Sequence, residues 1–202
     1  MIQAIRQLMT FEEFLNWYPE DGRYELINGE VIEVRPRGDH EDVTSQIVRL
    51  VDREIERLGL DWFIPKTCCV KPVGNLDGYV PDMIVLDRAE LRSEPLWKTA
   101  STITQGRSAR LVVEVVSTNW HDDYAKKLED YESLGIPEYW IADYRALGGR
   151  RFIGLPKQPT VSVYSLVNGV YELAQFRLGD MVRSAVFPEL ELRTEQILQV
   201  AE

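Results

Sequence analysis

Between Glu41 and Leu58, apolar residues recur every three or four positions. Val43, Ile47, Leu50, Val51, Ile55 and Leu58 fall on one face of a predicted helix that Gly59 ends. Elsewhere the apolar residues gather into short runs, and the spacing predicts strands over Trp62–Lys71, Val80–Leu86, Leu111–Ser117 and Glu138–Asp143. Two hairpins stand out. Tyr24–Ile27 and Glu30–Val34 flank Asn28-Gly29, and Val161–Val167 and Val170–Phe176 flank Asn168-Gly169. Asn-Gly tolerates the positive φ angles that a two-residue hairpin turn requires. Thr10-Phe11-Glu12-Glu13 forms a capping box, with Met9 and Phe14 spaced as a hydrophobic staple, so a short helix starts there and Pro19 bars its continuation. A further helix is predicted over Asp123–Leu134, capped by Asp122 and ended by Gly135. With no repeat or linker, the chain reads as a single α/β (α+β) domain, residues 1–202. Its core is expected over about 11–143, with a C-terminal β-hairpin and tail over about 144–202.

Composition narrows the class. No apolar run approaches the ~20 residues that span a bilayer, and Met1–Thr10 lacks the apolar core of a secretion signal. The only cysteines, Cys68 and Cys69, are neighbours, a poor arrangement for a disulfide and too few for a four-cysteine zinc site. A cytoplasmic location is the expectation. The net charge of -10 opposes binding to polyanions. Its distribution is uneven, however. Tyr144 to Tyr171 contains no acid but holds Arg145, Arg150, Arg151 and Lys157, and acid-free Lys98 to Val113 holds Lys98, Arg107 and Arg110. Solvated basic loops would account for both stretches as well as a polyanion partner would.

Two carboxylates interrupt otherwise apolar strands. Leu111-Val112-Val113-Glu114-Val115-Val116 is apolar except at Glu114, and Asp82 sits within Val80–Leu86. Continuous apolar runs mark strands covered on both faces, and a buried carboxylate is costly unless paired, protonated or metal-bound. Frayed strand ends reaching solvent would explain either acid singly. The helix that follows adds a third group. At about 100° per residue from Tyr124, Leu128 lies near ~40°, Tyr131 near about -20° and Lys127 near about -60°, while Lys126 points away near ~200°. Lys127 thus borders the apolar face, where it either snorkels outward or meets Asp82 and Glu114. Two carboxylates can hold a hard cation such as Mg²⁺ or Mn²⁺, which polarises a phosphoryl oxygen and acidifies water. An ammonium beside them orients that water or offsets charge on the phosphate.

These residues resemble the PD-(D/E)XK nuclease superfamily and, within it, the Uma-type family of restriction endonucleases. The resemblance is carried by Tyr24-Glu25-Leu26-Ile27-Asn28-Gly29-Glu30, Pro81-Asp82, Glu114-Val115-Val116-Ser117, Lys127-Leu128-Glu129-Asp130-Tyr131 and Gly135–Asp143. It implies a restriction-endonuclease-like core, with a mixed central sheet flanked by helices and an extra C-terminal β-hairpin. It also implies metal ligation by Asp82, Glu114 and the main-chain carbonyl of Val115, a catalytic Lys127, a DNA substrate and a homodimer. The superfamily's lysine normally stands two residues after the glutamate, where this chain has Val116; the Uma-type pattern takes it from the next helix, at Lys127.

Glu30 is a further catalytic candidate. In a two-residue hairpin Glu25 pairs with Ile32 and Ile27 with Glu30, so both acids share a face with two isoleucines; a hairpin-edge acid in water is the alternative for each. His40, at the opening of the longer helix, could meet a phosphate or sit in solvent, and solvent is the reading favoured for it and for His121. The leading function is a Mg²⁺- or Mn²⁺-dependent DNA endonuclease. The alternatives are a non-catalytic nucleic-acid- or protein-binding module on the same fold and, less favoured, metal-free carboxylate-pair chemistry on sugars.

Overall fold

The computed structural model describes residues 8–199; residues 1–7, part of the stretch read above for a secretion signal, lie outside them. Helix α1 (Phe11–Trp17) starts at the expected capping box: the Glu13 N–H donates to Thr10 Oγ1, and the Thr10 N–H donates to Glu13 Oε2 at 2.8 Å. Strands β1 (Tyr24–Ile27) and β2 (Glu30–Glu33) form the first hairpin, in the register Glu25↔Ile32 and Ile27↔Glu30. At its turn Asn28 and Gly29 have φ of 52° and 76°, the left-handed geometry that selects this dipeptide. Helix α2 (Gly38–Leu58) begins three residues before the predicted Glu41.

The central sheet then assembles in chain order from β3 (Trp62–Phe63), β4 (Met83–Asp87), β5 (Ala109–Val115), β6 (Glu138–Asp143), β7 (Thr160–Val167) and β8 (Val170–Phe176). Neighbours are antiparallel except β5 and β6. A parallel pair needs a crossover, and that crossover is a turn of π-helix, Asp122–Lys126, running into α3 (Lys127–Leu134). The C-terminal hairpin β7–β8 therefore continues the sheet rather than standing beside it. Predicted strand Trp62–Lys71 breaks into β3 and Cys69–Val70, because Pro65 cannot donate to a ladder.

Alternation along the strands sorts the core into two layers. Met83, Val85, Leu111, Val113, Val115, Trp140 and Ala142 pack against Val43, Ile47, Val51 and Ile55 of α2. Ile84, Leu86, Val112, Tyr139 and Ile141 pack against Tyr124 and Tyr131 of the crossover. Glu114 shares the side of Val112 by the two-residue period, so it faces the crossover that carries Lys127. A third, smaller cluster joins α1 to the first hairpin through Phe11, Phe14, Leu26 and Val80. No helix of the described residues is long and apolar enough to cross a membrane.

Candidate active site

The site lies at the end of the sheet where β5 and β6 finish and β4 begins. A cavity of about 280 Å³ opens there, and Glu25, His40, Asp82, Glu114, Asp123 and Lys127 all line it. Parallel pairing brings the ends of β5 and β6 together, and the antiparallel step places Met83 beside Val113. Asp82, immediately before β4, thereby arrives next to Glu114 and Val115.

Asp82 is bound on every side. Its Oδ2 accepts the Val115 N–H at 2.8 Å and lies 3.1 Å from His40 Nε2, and its Oδ1 accepts from Arg23 Nη2 at 3.0 Å. Arg23 also donates to the Val80 carbonyl. His40 Nε2 lies 3.0 Å from the Val115 carbonyl oxygen, which can only accept, so this nitrogen carries the proton and shares it between Val115 and Asp82. Burial pushes the Asp82 carboxyl upward, but the His40 hydrogen bond and the charges of His40 and Arg23 hold it below the usual carboxylate value. Burial lowers the His40 imidazole, yet Asp82 outweighs that and raises it.

Lys127 is the hub of the other half. Its ammonium stands 3.0 Å from Glu114 Oε1, 3.2 Å from Glu25 Oε1 and 3.4 Å from Asp123 Oδ1, with its side chain 6% exposed. Glu114 also accepts from Tyr131 Oη at 3.1 Å, and Glu25 accepts the Val80 N–H at 2.9 Å. Burial disfavours a charged lysine, but Glu114, Glu25 and Asp123 together hold it charged well above its ordinary value. Burial drives the Glu114 carboxyl well above the usual range against the pull of Lys127, and brings Asp123 up to about 6.

Four acidic side chains (Glu25, Asp82, Glu114 and Asp123) thus stand around two permanent cations, Arg23 and Lys127, so acids outnumber the cations beside them. The donors are hard oxygens, joined by the Val115 carbonyl, and such an oxygen-rich set suits a divalent cation of the Mg²⁺ type. Lys127, Arg23 and His40 engage these oxygens, and among the described residues no group of three His, Cys, Asp or Glu side chains is drawn together closely enough to grip an ion.

The structure gathers Asp82, Glu114, Val115 and Lys127 as a group. Glu30 stands apart: it is exposed and lines a neighbouring groove with Ile27, Ile32, Asn119 and Asp122, not the cavity holding Asp82. His40, expected in solvent, is 6% exposed and inside the site. Its signal was available, since it precedes Val43 by three residues and Ile47 by seven on the apolar stripe of α2. Arg23 alternates with Glu25, and Asp123 stands four residues before Lys127, spacings that share a face. His121 is exposed and stacked on Trp120, with ring centroids 3.5 Å apart. Lys126, expected in water, is half-buried and pairs with Asp77 at 3.0 Å.

None of the curated proteins matches the sequence. Among solved structures, the crystal structure of a "putative nuclease belonging to DUF820" from Anabaena variabilis ATCC 29413 aligns with a TM-score of 0.71 over 96% of this chain and 99% of that one. At 18% identity this likeness is one of fold, and the fold is nuclease-like. A family model described as "Uma2: Putative restriction endonuclease" matches residues 11–195, nearly the whole domain. The chain belongs to the Uma2 family of restriction-endonuclease-like proteins.

Proposed function

We propose that the protein is a metal-dependent endonuclease that hydrolyses phosphodiester bonds in DNA. The observation that carries this reading is the fully ion-paired Lys127 set among three acids, in the same cavity as Asp82 and His40, which both meet the Val115 main chain. A purely structural core gains little from seven convergent polar groups. Asp82, Glu114 and the Val115 carbonyl would hold Mg²⁺ or Mn²⁺, with His40 against two of those oxygens. When bound, the ion would supply Lewis acidity to a phosphoryl oxygen and would lower the pKa of water.

The protein's own groups divide the remaining work. Lys127 is held charged, so it donates: it orients the attacking water or offsets charge developing on the phosphate. It is unsuited to accept a proton. Asp123 makes its side-chain contact to Lys127 and faces the cavity, so its carboxylate is placed to take the proton from the water. Glu25 and Tyr131 keep Lys127 and Glu114 in place. A homodimer would supply one such centre for each strand of a duplex.

Cleavage of mixed DNA substrates with Mg²⁺ or Mn²⁺, comparing wild type with Asp82→Ala and Lys127→Ala, tests the reading. Metal-dependent cutting lost in both folded variants is expected. Equal cutting by all three proteins, or cutting by none, rejects it on these substrates.

A further inference from the structure

The two acid-free basic stretches meet different fates in the fold. Arg107 and Arg110 lie at the start of β5, the end remote from the site, and are paired with Glu90 at 3.3 Å and Asp87 at 2.6 Å. Arg145, Arg150, Arg151 and Lys157 lie on the segment between β6 and β7. That segment leaves the sheet at the end of β6, beside the cavity, and Arg145 lines the cavity itself. Trp120 packs on Phe152, with ring centroids 6.2 Å apart, and this anchors the segment to the turn that carries Asp123. From a second part of the chain, the connection between β2 and α2 brings Arg35 and Arg37 to the same cavity.

These groups are available to a ligand. Arg35 and Arg145 make exposed ion pairs with Glu33 at 2.7 Å and Asp39 at 3.9 Å, of the kind that water and salt readily dissolve. No described residue forms an ion pair with Arg37, Arg150, Arg151 or Lys157. A chain of net charge -10 repels phosphate at long range, so affinity for a polyanion must come from such a local field. Arginine suits the task, since its planar fork matches two phosphate oxygens.

We propose that Arg35, Arg37 and Arg145, extended by Arg150, Arg151 and Lys157, grip the phosphodiester backbone of a DNA duplex and lead it into the cavity. The grip holds by phosphate charge rather than by base edges, and it rests on the nuclease reading above. The test uses a fluorescein-labelled duplex of about 20 base pairs, with binding followed by anisotropy in EDTA between about 50 and 200 mM salt. The Arg37→Ala/Arg145→Ala protein should bind roughly tenfold more weakly, with its log Kd against log salt shallower by about 2, one unit per lost phosphate contact. The Lys98→Ala/Arg107→Ala protein, altered on the other basic stretch, should bind within about twofold of wild type. Wild-type affinity and salt slope in the Arg37/Arg145 variant, from a wild type that still cuts DNA, would overturn the grip alone. Equal weakening in both variants would overturn it too, reducing the effect to overall charge. A wild type that neither binds nor cuts the duplex would overturn the grip and the nuclease reading together.

Discussion

Glu114 and Glu138 lie on the adjacent strands β5 and β6, 3% and 0% exposed, and satisfy their burial in opposite ways. Glu138 is surrounded by neutral donors: Trp140 Nε1 at 2.7 Å, Ser184 Oγ at 2.6 Å, Ser165 Oγ at 3.3 Å and the N–H groups of Ala185 and Val186. It fastens the C-terminal segment to the sheet. Glu114 instead meets a cation, Lys127, that it shares with two further acids. Neutral donors complete a carboxylate, whereas one cation shared among three acids leaves each of them able to exchange partners. Burial of an acid therefore says little about function; the kind of partner decides.

Glu114→Gln is the sharpest way to break this contrast. The amide keeps the shape and removes the charge, so cleavage should fall by about 10²–10³-fold or more, the scale of losing one electrostatic contact at a reacting centre. Stability should largely hold, because Lys127 keeps Glu25 and Asp123 as partners and burial already favours the neutral form of the Glu114 carboxyl. Rates with Mg²⁺ and a thermal melt read both quantities; an active variant, or one that fails to fold, would place Glu114 with the structural acids. Glu138→Ala should do the reverse. It strands the Trp140, Ser184 and Ala185 donors at about 1–3 kcal/mol each where water cannot reach. A net loss of ~3 kcal/mol corresponds to a Tm lower by roughly 6–12 °C. The folded fraction should cleave at the wild-type rate.

Much of this was legible in the sequence, for reasons that differ between residues. The Asn-Gly turns, the stripe of α2 and the continuous apolar run of β6 are local signals, and the fold follows them. Lys127 was placed by helical periodicity, although the turn before it is π-helical, because Tyr124 and Tyr131 fix the same buried face. The apolar run predicts Asp82 within a strand, but Asp82 stands just before it, where its carboxylate reaches the end of β5. His40 continues the apolar stripe of α2 one turn before Val43, so its burial is visible only when the helix is begun at Gly38. Arg23 gives no local signal of its partner: its contact with Asp82 spans 59 positions and exists only once the hairpin closes over the sheet. The role of Glu138 was hidden likewise, since its donors Ser184 and Ala185 come from more than 45 positions downstream.

Asp123→Asn sharpens the comparison through pH. Burial brings the Asp123 carboxyl up to about 6, against the pull of Lys127. The native state then binds a proton more tightly than the unfolded chain, so this group costs stability as pH rises from its unfolded value near ~4 to about 6. In chelator, the Tm of Asp123→Asn relative to wild type should climb across that window, by the equivalent of a few kcal/mol at most, and level off above it. A pH-independent difference would remove Asp123 from the charged cluster. The same variant should lose cleavage activity if Asp123 takes the proton.

Asp87 offers the opposite sign and the smallest effect. It sits at the end of β4, bound by Arg110 at 2.6 Å, the Ala89 N–H at 2.8 Å and Trp62 Nε1 at 3.1 Å. Burial raises its carboxyl, but Arg110 and the Ala89 N–H outweigh that and hold it below the ordinary value. A depressed carboxylate contributes stability above its unfolded pKa, near ~3.9, and that contribution is lost as pH falls through the lower folded value. Arg110 is 30% exposed, so water screens much of the pairing and about 1 kcal/mol remains. Asp87→Asn should therefore melt roughly 2–4 °C below wild type at neutral pH, with the gap closing below about pH 4. A gap that widened with acid would mean that Asp87 is held as Asp123 is, by burial, and that one nearby cation does not separate structural acids from those at the site.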